Sequence, residues 1–543
     1  MNKLLTCFLL FSFPLTFNAQ TFENYYGGCE YEKVQSVTQR ADEIILAGYS
    51  NSFGYGKDMY IISIDTLGST NWSNIYHRPN VVDYVEKIIS RGSSLVVLGK
   101  SLFQYGLENY HILYLDQNND PVWAKEYQLD YPVNPSNNQE GLRYDDIINT
   151  LSGGFALSGQ YIDPVTGYRK PHVLILDSNG IIIESQTFDL QIVTYDSHYA
   201  VNIDQLEDSS FVVIGDQSGP GGSSTHSSFI AKLDSSLNVL WSKKIEMTGE
   251  STSDIIRTSD DGFIFGGAER NGFNDHPKPF ICKLNSQGTV EWYKAFDASP
   301  YFDKHEINVY STSDGKYMLM SSYDDSPLAI KIDPNGNIIW SKLIGPESPY
   351  SYGHTNLFYA YNTNYFFISN SSYNQAQNSP FPDYYDFVVT KTDTSGYSIG
   401  TSVNFNLTEI PYTTFSSPFP LTPIPAVPII TADLLFTKGA ASSTYNSSDC
   451  ASLDFNETSP TQSPFSIFPN PTLGTVTVSH SNTINVVEVF NLAIYNSLGF
   501  QVLYMENVSS EDFQIDLSEF GAGLYNIHLF NDYQLSQFKI IVE

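Results

Sequence analysis

Basic residues are scarce in this chain: 27 Lys and Arg stand against 59 Asp and Glu in 543 residues, for a formal net charge of -32. That balance excludes nucleic acid and anionic membrane surfaces as partners, because both are gripped through basic patches. Cysteine is nearly as scarce, with four residues, so no disulfide framework holds the fold. Cys282 sits in an apolar strand and reads as a small buried hydrophobe, which leaves Cys29 and Cys450 as one candidate pair. Beyond the amino terminus no stretch approaches the roughly 20 apolar residues of a membrane-spanning helix. No window carries sustained helical periodicity. The Gly-x-Ser-x-Gly, His-Glu-x-x-His, phosphate-loop and dinucleotide motifs are all missing, so no reaction class is legible.

What is present points to β structure. Aromatic residues make up 14% of the chain, with 38 Tyr and 35 Phe, and only 16% is charged. The length predicts one large domain and at least one smaller one. Residues 1–19 have the form of a secretory leader, with Lys3, an apolar run to Phe17 and a cleavage point at Asn18-Ala19. The mature chain is therefore expected outside the cytoplasm, soluble, and with no membrane span.

From residue 20 to 406 one phrase recurs. Its clearest copy is Ile330-Lys331-Ile332-Asp333-Pro334-Asn335-Gly336-Asn337-Ile338-Ile339-Trp340. It reads as a strand ending at an Asp, a tight turn whose Gly takes positive φ, and a second strand opening on a Trp. Related copies end at Asp65, Asp116, Asp177, Asp234, Asn285, Asp333 and Asp393, spaced 51, 61, 57, 51, 48 and 60 residues apart. Trp72, Trp123, Trp241, Trp292 and Trp340 each fall seven residues after one of these, and they are all five Trp of the chain. The third and seventh copies carry Glu184 and Gly400 there, so their outer strands are expected to pack less well.

Upstream of each Asp lie two further strands, giving four short antiparallel strands per copy. Units of about 50 residues with that content are the mark of propeller blades, which stack because one blade cannot bury both faces alone. The reading is an all-β chain with about seven blades over 20–406. Thr21–Gly28 resembles an outer-strand ending, and is expected to close the ring on the seventh blade or beside residues 398–405. The region resembles the propeller repeats common in bacterial secreted proteins. It is also similar to the quinoprotein propeller phrase, whose turn is one residue longer. No cofactor is expected, and calcium at most as a weakly held ion, since each turn offers one or two oxygens where a calcium loop gathers several.

Residues 407–463 are crowded with Pro and then Ser and Thr, and read as a linker, with 429–438 able to pair locally. Residues 464–543 alternate in short strands that suggest an immunoglobulin-like sandwich. Its ordered motifs are Pro469-Asn470-Pro471, a hairpin ending at Gly499, Asp516-Leu517-Ser518, Gly523-Leu524-Tyr525 and Lys539 in the last strand. Together they resemble the type A C-terminal sorting domain of the bacterial type IX secretion system. That resemblance implies export by the type IX machinery, cleavage of the sorting domain, and a passenger attached to the cell surface or released.

Function then falls to the propeller face with unlike loops, 163–170, 218–227, 271–279 and 373–383, because variable loops on a rigid scaffold carry function. That face gathers His226, His276, Tyr301, His305, Tyr350, Tyr352 and His354. The expectation is a monomeric, non-catalytic module for an extracellular glycan or protein. The competing readings are a secreted hydrolase or lyase, which would converge two carboxylates, or a His and a carboxylate, in the channel mouth, and a structural surface component.

Overall fold

The computed structural model describes residues 21–440 and 465–542, apart from 29–30, 54–56, 80, 103–107, 130–140, 164–166, 190–197, 219–225, 270–277, 298–306, 324–325, 345–351, 374–383, 399–401, 405–406, 411–414, 419–421, 425–428, 473, 481–488, 497–500, 510–512, 519, 522 and 531–534. Among these residues every regular element is a strand. The chain divides into two compact units, Met1–Leu453 and Asp454–Glu543. The leader, Cys29 and Cys450 lie outside the described residues.

The first unit is a β-propeller. In its first repeat Glu32–Arg40, Glu43–Ser50, Asp58–Ile64 and Thr70–His77 lie in order, each antiparallel to the next. The same meander recurs over 82–129, 142–189 and 308–344. Between them Val239–Arg257 runs for 19 residues, as outer strand of the fourth repeat and inner strand of the fifth. Tyr352–Tyr361, Asn364–Tyr373 and Tyr384–Asp393 begin the last repeat, and Phe22–Tyr26 completes it, with Phe22 opposite Lys391 and Tyr26 opposite Phe387. The closing strand expected at the amino terminus is there.

Apolar clusters fill the seams between consecutive repeats, and one joins the last repeat to the first through Phe366, Ile368, Phe387, Val34, Leu46 and Ile62. Asn370 locks that seam: its Oδ1 accepts the Val34 N–H at 2.8 Å. Buried strands on both faces explain why the second and third strands are continuous apolar runs.

The recurring phrase is a clamp between neighbours. Asp333 Oδ1 accepts the N–H of Asn335 and Asn337, and Gly336 N–H donates to the Asp333 carbonyl, so the carboxylate caps a turn. Gly336 has φ +79, and its absent Cβ would stand 2.8 Å from Trp292 of the preceding repeat. Trp123 meets Gly180, Trp241 meets Gly288 and Trp340 meets Gly396 in the same way. Three outer-strand tyrosines reinforce the grip, as Tyr26, Tyr76 and Tyr127 donate to the turn carbonyls of Gly68, Asn119 and Gly180. In the repeat that carries Glu184 that side chain is exposed, where the Trp of other repeats is half-buried. The next turn has Leu237 at φ +61 where five others have Gly and one has Asn119, and that buried side chain fills the seam from the other side.

One expectation is corrected. Residues 407–463 read as a linker, yet Thr408–Ile410, Phe415–Pro418, Thr422–Ile424, Ile429–Asp433 and Thr437–Ala440 each add a further strand to the outer edge of a repeat. Ser402–Asn404 does the same one repeat earlier in the series. Proline misled the reading because it is barred from central strands, whereas at the outermost edge its missing N–H costs nothing.

The second unit is a β-sandwich. Phe465–Phe468, Thr475–His480 and Phe513–Asp516 form one antiparallel sheet, and Gln501–Ser509, Val489–Asn496, Gly523–Phe530 and Leu535–Val542 form the other. Val476, Val478 and Ile515 from the first meet Ile494, Ile527 and Ile540 from the second in one core.

Candidate functional site

The first-to-second and third-to-fourth turns of each repeat lie on one face of the propeller. Inner strands begin on the opposite face, where second strands end and third strands start. Each sheet also ends at its inner strand, which therefore lies nearest the axis. Any residue near the start of an inner strand thus stands at the axial mouth of that second face. In the second repeat the inner strand alternates buried Asp83 and Val85 with half-buried Tyr84 and Glu86, and in the third buried Leu142 and Tyr144 alternate with half-buried Arg143 and Asp145.

Tyr84 meets buried Tyr49, at the end of the second strand of the first repeat, and half-buried Tyr31. Tyr31 stacks on Tyr49 with ring centroids 5.7 Å apart, and Tyr49 meets Tyr84 edge-on at 4.7 Å. Lys57 Nζ lies 5.4 Å from the Tyr31 ring and 5.7 Å from Tyr49, and Lys100 Nζ lies 5.7 Å from Tyr84. Lys100 also bridges Glu86 at 3.0 Å and Glu108 at 3.5 Å, and Arg143 faces Asp145 at 3.5 Å. The mouth formed by the first three repeats is therefore a tyrosine ladder beside a charge network.

Its electrostatics follow from burial and crowding. Burial pulls the Lys100 ammonium down, but Glu86 and Glu108 outweigh it and hold it above its ordinary value. Burial pushes the Asp145 carboxyl up to about 7 against the pull of Arg143, with Glu86 and Asp146 pushing the same way.

A second group looks more catalytic and is not. Asp83 Oδ1 accepts Ser101 Oγ–H at 2.9 Å, and Ser101 Oγ lies 3.0 Å from His111 Nδ1. Asp83 is held by Arg78 rather than by His111, and Asp83, Ser101 and His111 are all fully buried. A nucleophilic Ser needs access and a His oriented by the carboxylate. Neither condition is met.

His111 and His172 instead replace the aromatic that other repeats place on the third strand, as Tyr60, Phe229, Phe280 and Phe387 do. Burial lowers His111 to about 4 and His172 to about 3. A His lowered in the folded state contributes stability that is whole above pH 6.5 and is lost as pH falls through the folded value. The substitution His172→Phe is expected to flatten the acid limb of stability by one proton, about 1.4 kcal/mol per pH unit between pH 6 and 4. Thermal unfolding across that range checks it, and an unchanged slope counts against it.

Of the seven residues expected on the variable face, three have a described backbone, His226, Tyr352 and His354. His276, Tyr301, His305 and Tyr350 lie outside the described residues. The backbone of His226 pairs with Ser218 and Gly249, Tyr352 pairs with Ser371, and His354 lies in the irregular stretch between Gly353 and Leu357. A charge at the end of an apolar strand, as in Leu98-Gly99-Lys100-Ser101, was the available signal for the mouth. Among the described residues no group of three or more His, Cys, Asp or Glu could hold a metal ion.

In the sandwich, Asn470 Oδ1 accepts the Ile541 N–H at 3.0 Å, and Thr472 N–H donates to the Ile541 carbonyl at 2.8 Å. The turn through Pro469, Asn470 and Pro471 is thereby fastened to the last strand. Tyr525 Oη donates to the Gly521 carbonyl at 2.8 Å, Gly523 opens its strand, and Lys539 pairs in register with Asn526. Gly499 lies outside the described residues.

Residues 466–543 match the family described as the secretion system C-terminal sorting domain. No curated protein matches the chain. Among solved structures, Drosophila Plexin A in complex with Semaphorin 1b is similar at 9% identity and TM-score 0.39, over 69% of this chain and 87% of that one. The β-propeller domain of the Trilobed protease from Pyrococcus furiosus is similar at 10% identity and TM-score 0.37, over 67% of this chain and 95% of that one. Among the described residues no helix is long and apolar enough to cross a membrane.

Proposed function

We propose that this chain, a β-propeller exported through the type IX sorting domain at its carboxy terminus, is a binding module whose ligand docks on the mouth formed by Tyr31, Tyr49 and Tyr84. A leader at 1–19, a seven-bladed ring, an immunoglobulin-like sorting sandwich, and surface attachment or release after its cleavage complete the reading. The observation that carries it is the tyrosine ladder at the mouth side of the first two repeats, beside Lys57, Lys100, Glu86, Glu108 and, from the third repeat, Arg143. Ring faces stack on sugars or partner side chains, and paired charges at their rim offer donors and acceptors to hydroxyls. A glycan fits this mixture best, with a protein surface as the alternative occupant.

A glycan array with the full chain tests the reading. Tyr84→Ala is expected to weaken any glycan bound by about 2 kcal/mol, roughly thirtyfold in Kd. Equal binding by wild type and Tyr84→Ala would move the ligand elsewhere.

The hydrolase reading has one specific support, the convergence of Glu86, Glu108 and Asp145, with Asp145 titrating near neutrality. Against it, Lys100 bridges both glutamates and Arg143 faces the aspartate, so each carboxylate has an ion-pair partner. Turnover of a polysaccharide that Asp145→Asn abolishes would reverse the choice.

A further inference from the structure

The strands between 402 and 440 lie on the outer edges of six repeats, visited in reverse order. Ser402–Asn404 pairs with Ile338–Ile344, Thr408–Ile410 with Val290–Asp297, and Phe415–Pro418 with the first part of Val239–Arg257. Thr422–Ile424 then pairs with Ile182–Asp189, Ile429–Asp433 with Pro121–Leu129, and Thr437–Ala440 with Thr70–His77. The outer place of the last repeat belongs to Phe22–Tyr26, which diverts 402–404 to the repeat before it. This course has a plain consequence. The path is laid over a ring whose two ends are already joined.

Local contacts fasten it. Leu434 N–H donates to the Ala124 carbonyl at 2.9 Å. Leu434 and Phe436 pack on the core between the first and second repeats, Ile429 on that between the second and third, and Leu407 on that between the fifth and sixth. Phe436 lies 4.9 Å from the Arg78 guanidinium and 5.2 Å from the His111 ring, covering the buried Arg78–Asp83–Ser101–His111 group. Asp433 meets Lys125 at 2.7 Å, and Lys438 meets Asp120 at 2.9 Å, but exposed pairs of this kind contribute little. Phe436 and the backbone pairing carry the weight.

We propose that residues 402–440 are a strap that holds the propeller ring shut. It belongs to the propeller, so any cleavage that frees the sorting unit must fall beyond Ala440. Each outer strand would otherwise offer its unpaired backbone to another chain. The strap occupies those edges, and Pro418 and Pro423 within its strands remove donors from the new outermost edge. Its successive strands pair with successive repeats, so the strap ties neighbours as well as capping them.

Two experiments on the full chain test this. A Lys125→Cys/Asp433→Cys pair, in register across the edge, is expected to oxidise to an internal disulfide that neither single variant forms. Failure to form it overturns the strap at the second repeat. In Leu434→Pro/Phe436→Ala, amide exchange in Pro121–Leu129 and Thr70–His77 is expected to rise about tenfold while Glu32–Arg40 and Val82–Arg91 stay protected. Unchanged exchange in the two outer strands overturns the proposal. So does a loss of protection in all four strands that the oxidised Cys pair, in the same background, fails to reverse.

Discussion

Gly336→Ala is expected to destabilise the propeller by about 3 kcal/mol, against about 1 kcal/mol for Gly315→Ala. Both glycines have positive φ, +79 and +70, so both substitutions place an L side chain in the left-handed region. They differ in what a Cβ would meet. At Gly315 nothing lies within 4 Å, whereas at Gly336 the Trp292 ring stands at 2.8 Å and Lys294 at 3.0 Å. The first change therefore adds strain alone, and the second also pushes two repeats apart. Urea unfolding of both variants measures the difference. Equal costs would mean that the Trp-on-turn contact is not a clamp.

Removing residues 466–543 is expected to stop export, with the chain retained inside the cell envelope. The sorting sandwich has its own core of Val476, Val478, Ile494, Ile515, Ile527 and Ile540, so its loss leaves propeller packing untouched. Fractionation of cells expressing the truncated chain, with thermal unfolding of the retained protein as control, makes the comparison. Wild-type amounts in the medium would remove the export role. A native-like melting point with no export would assign the effect to sorting rather than to misfolding. Asn470→Ala should give a partial form of the same defect, because it releases the turn from Ile541 while leaving the core in place.

Much of the propeller is legible before any coordinates because its signals are local. An Asp caps its own turn within four residues, and a Gly at positive φ is required by the backbone of that turn. Repetition of these signals, with a Trp at fixed offset, gives the order of strands within a repeat. Even the closing strand is visible, since Phe22–Tyr26 resembles the outer strands it joins.

The strap and the mouth are harder to read for opposite reasons. The strap looks like a linker because composition reports Pro content and not position, and a Pro is harmless only where no further strand follows. The mouth brings together Tyr31, Tyr49, Tyr84, Glu108 and Asp145 from three repeats, and no local pattern joins them. His111 and His172 show the same limit. No local pattern marks either as a core residue, and only the tertiary structure shows each buried beside Ser101 or Thr187.

By itself, then, the sequence determined the repeat, its turn chemistry, the ring closure and the sorting tail, because each depends on residues close in the chain or on a periodic signal. Tertiary structure alone decided which edges the Pro-rich stretch covers and which side chains meet at the axis. Those outcomes depend on how radial sheets bring distant strand ends together, a property of the closed ring that no single segment carries.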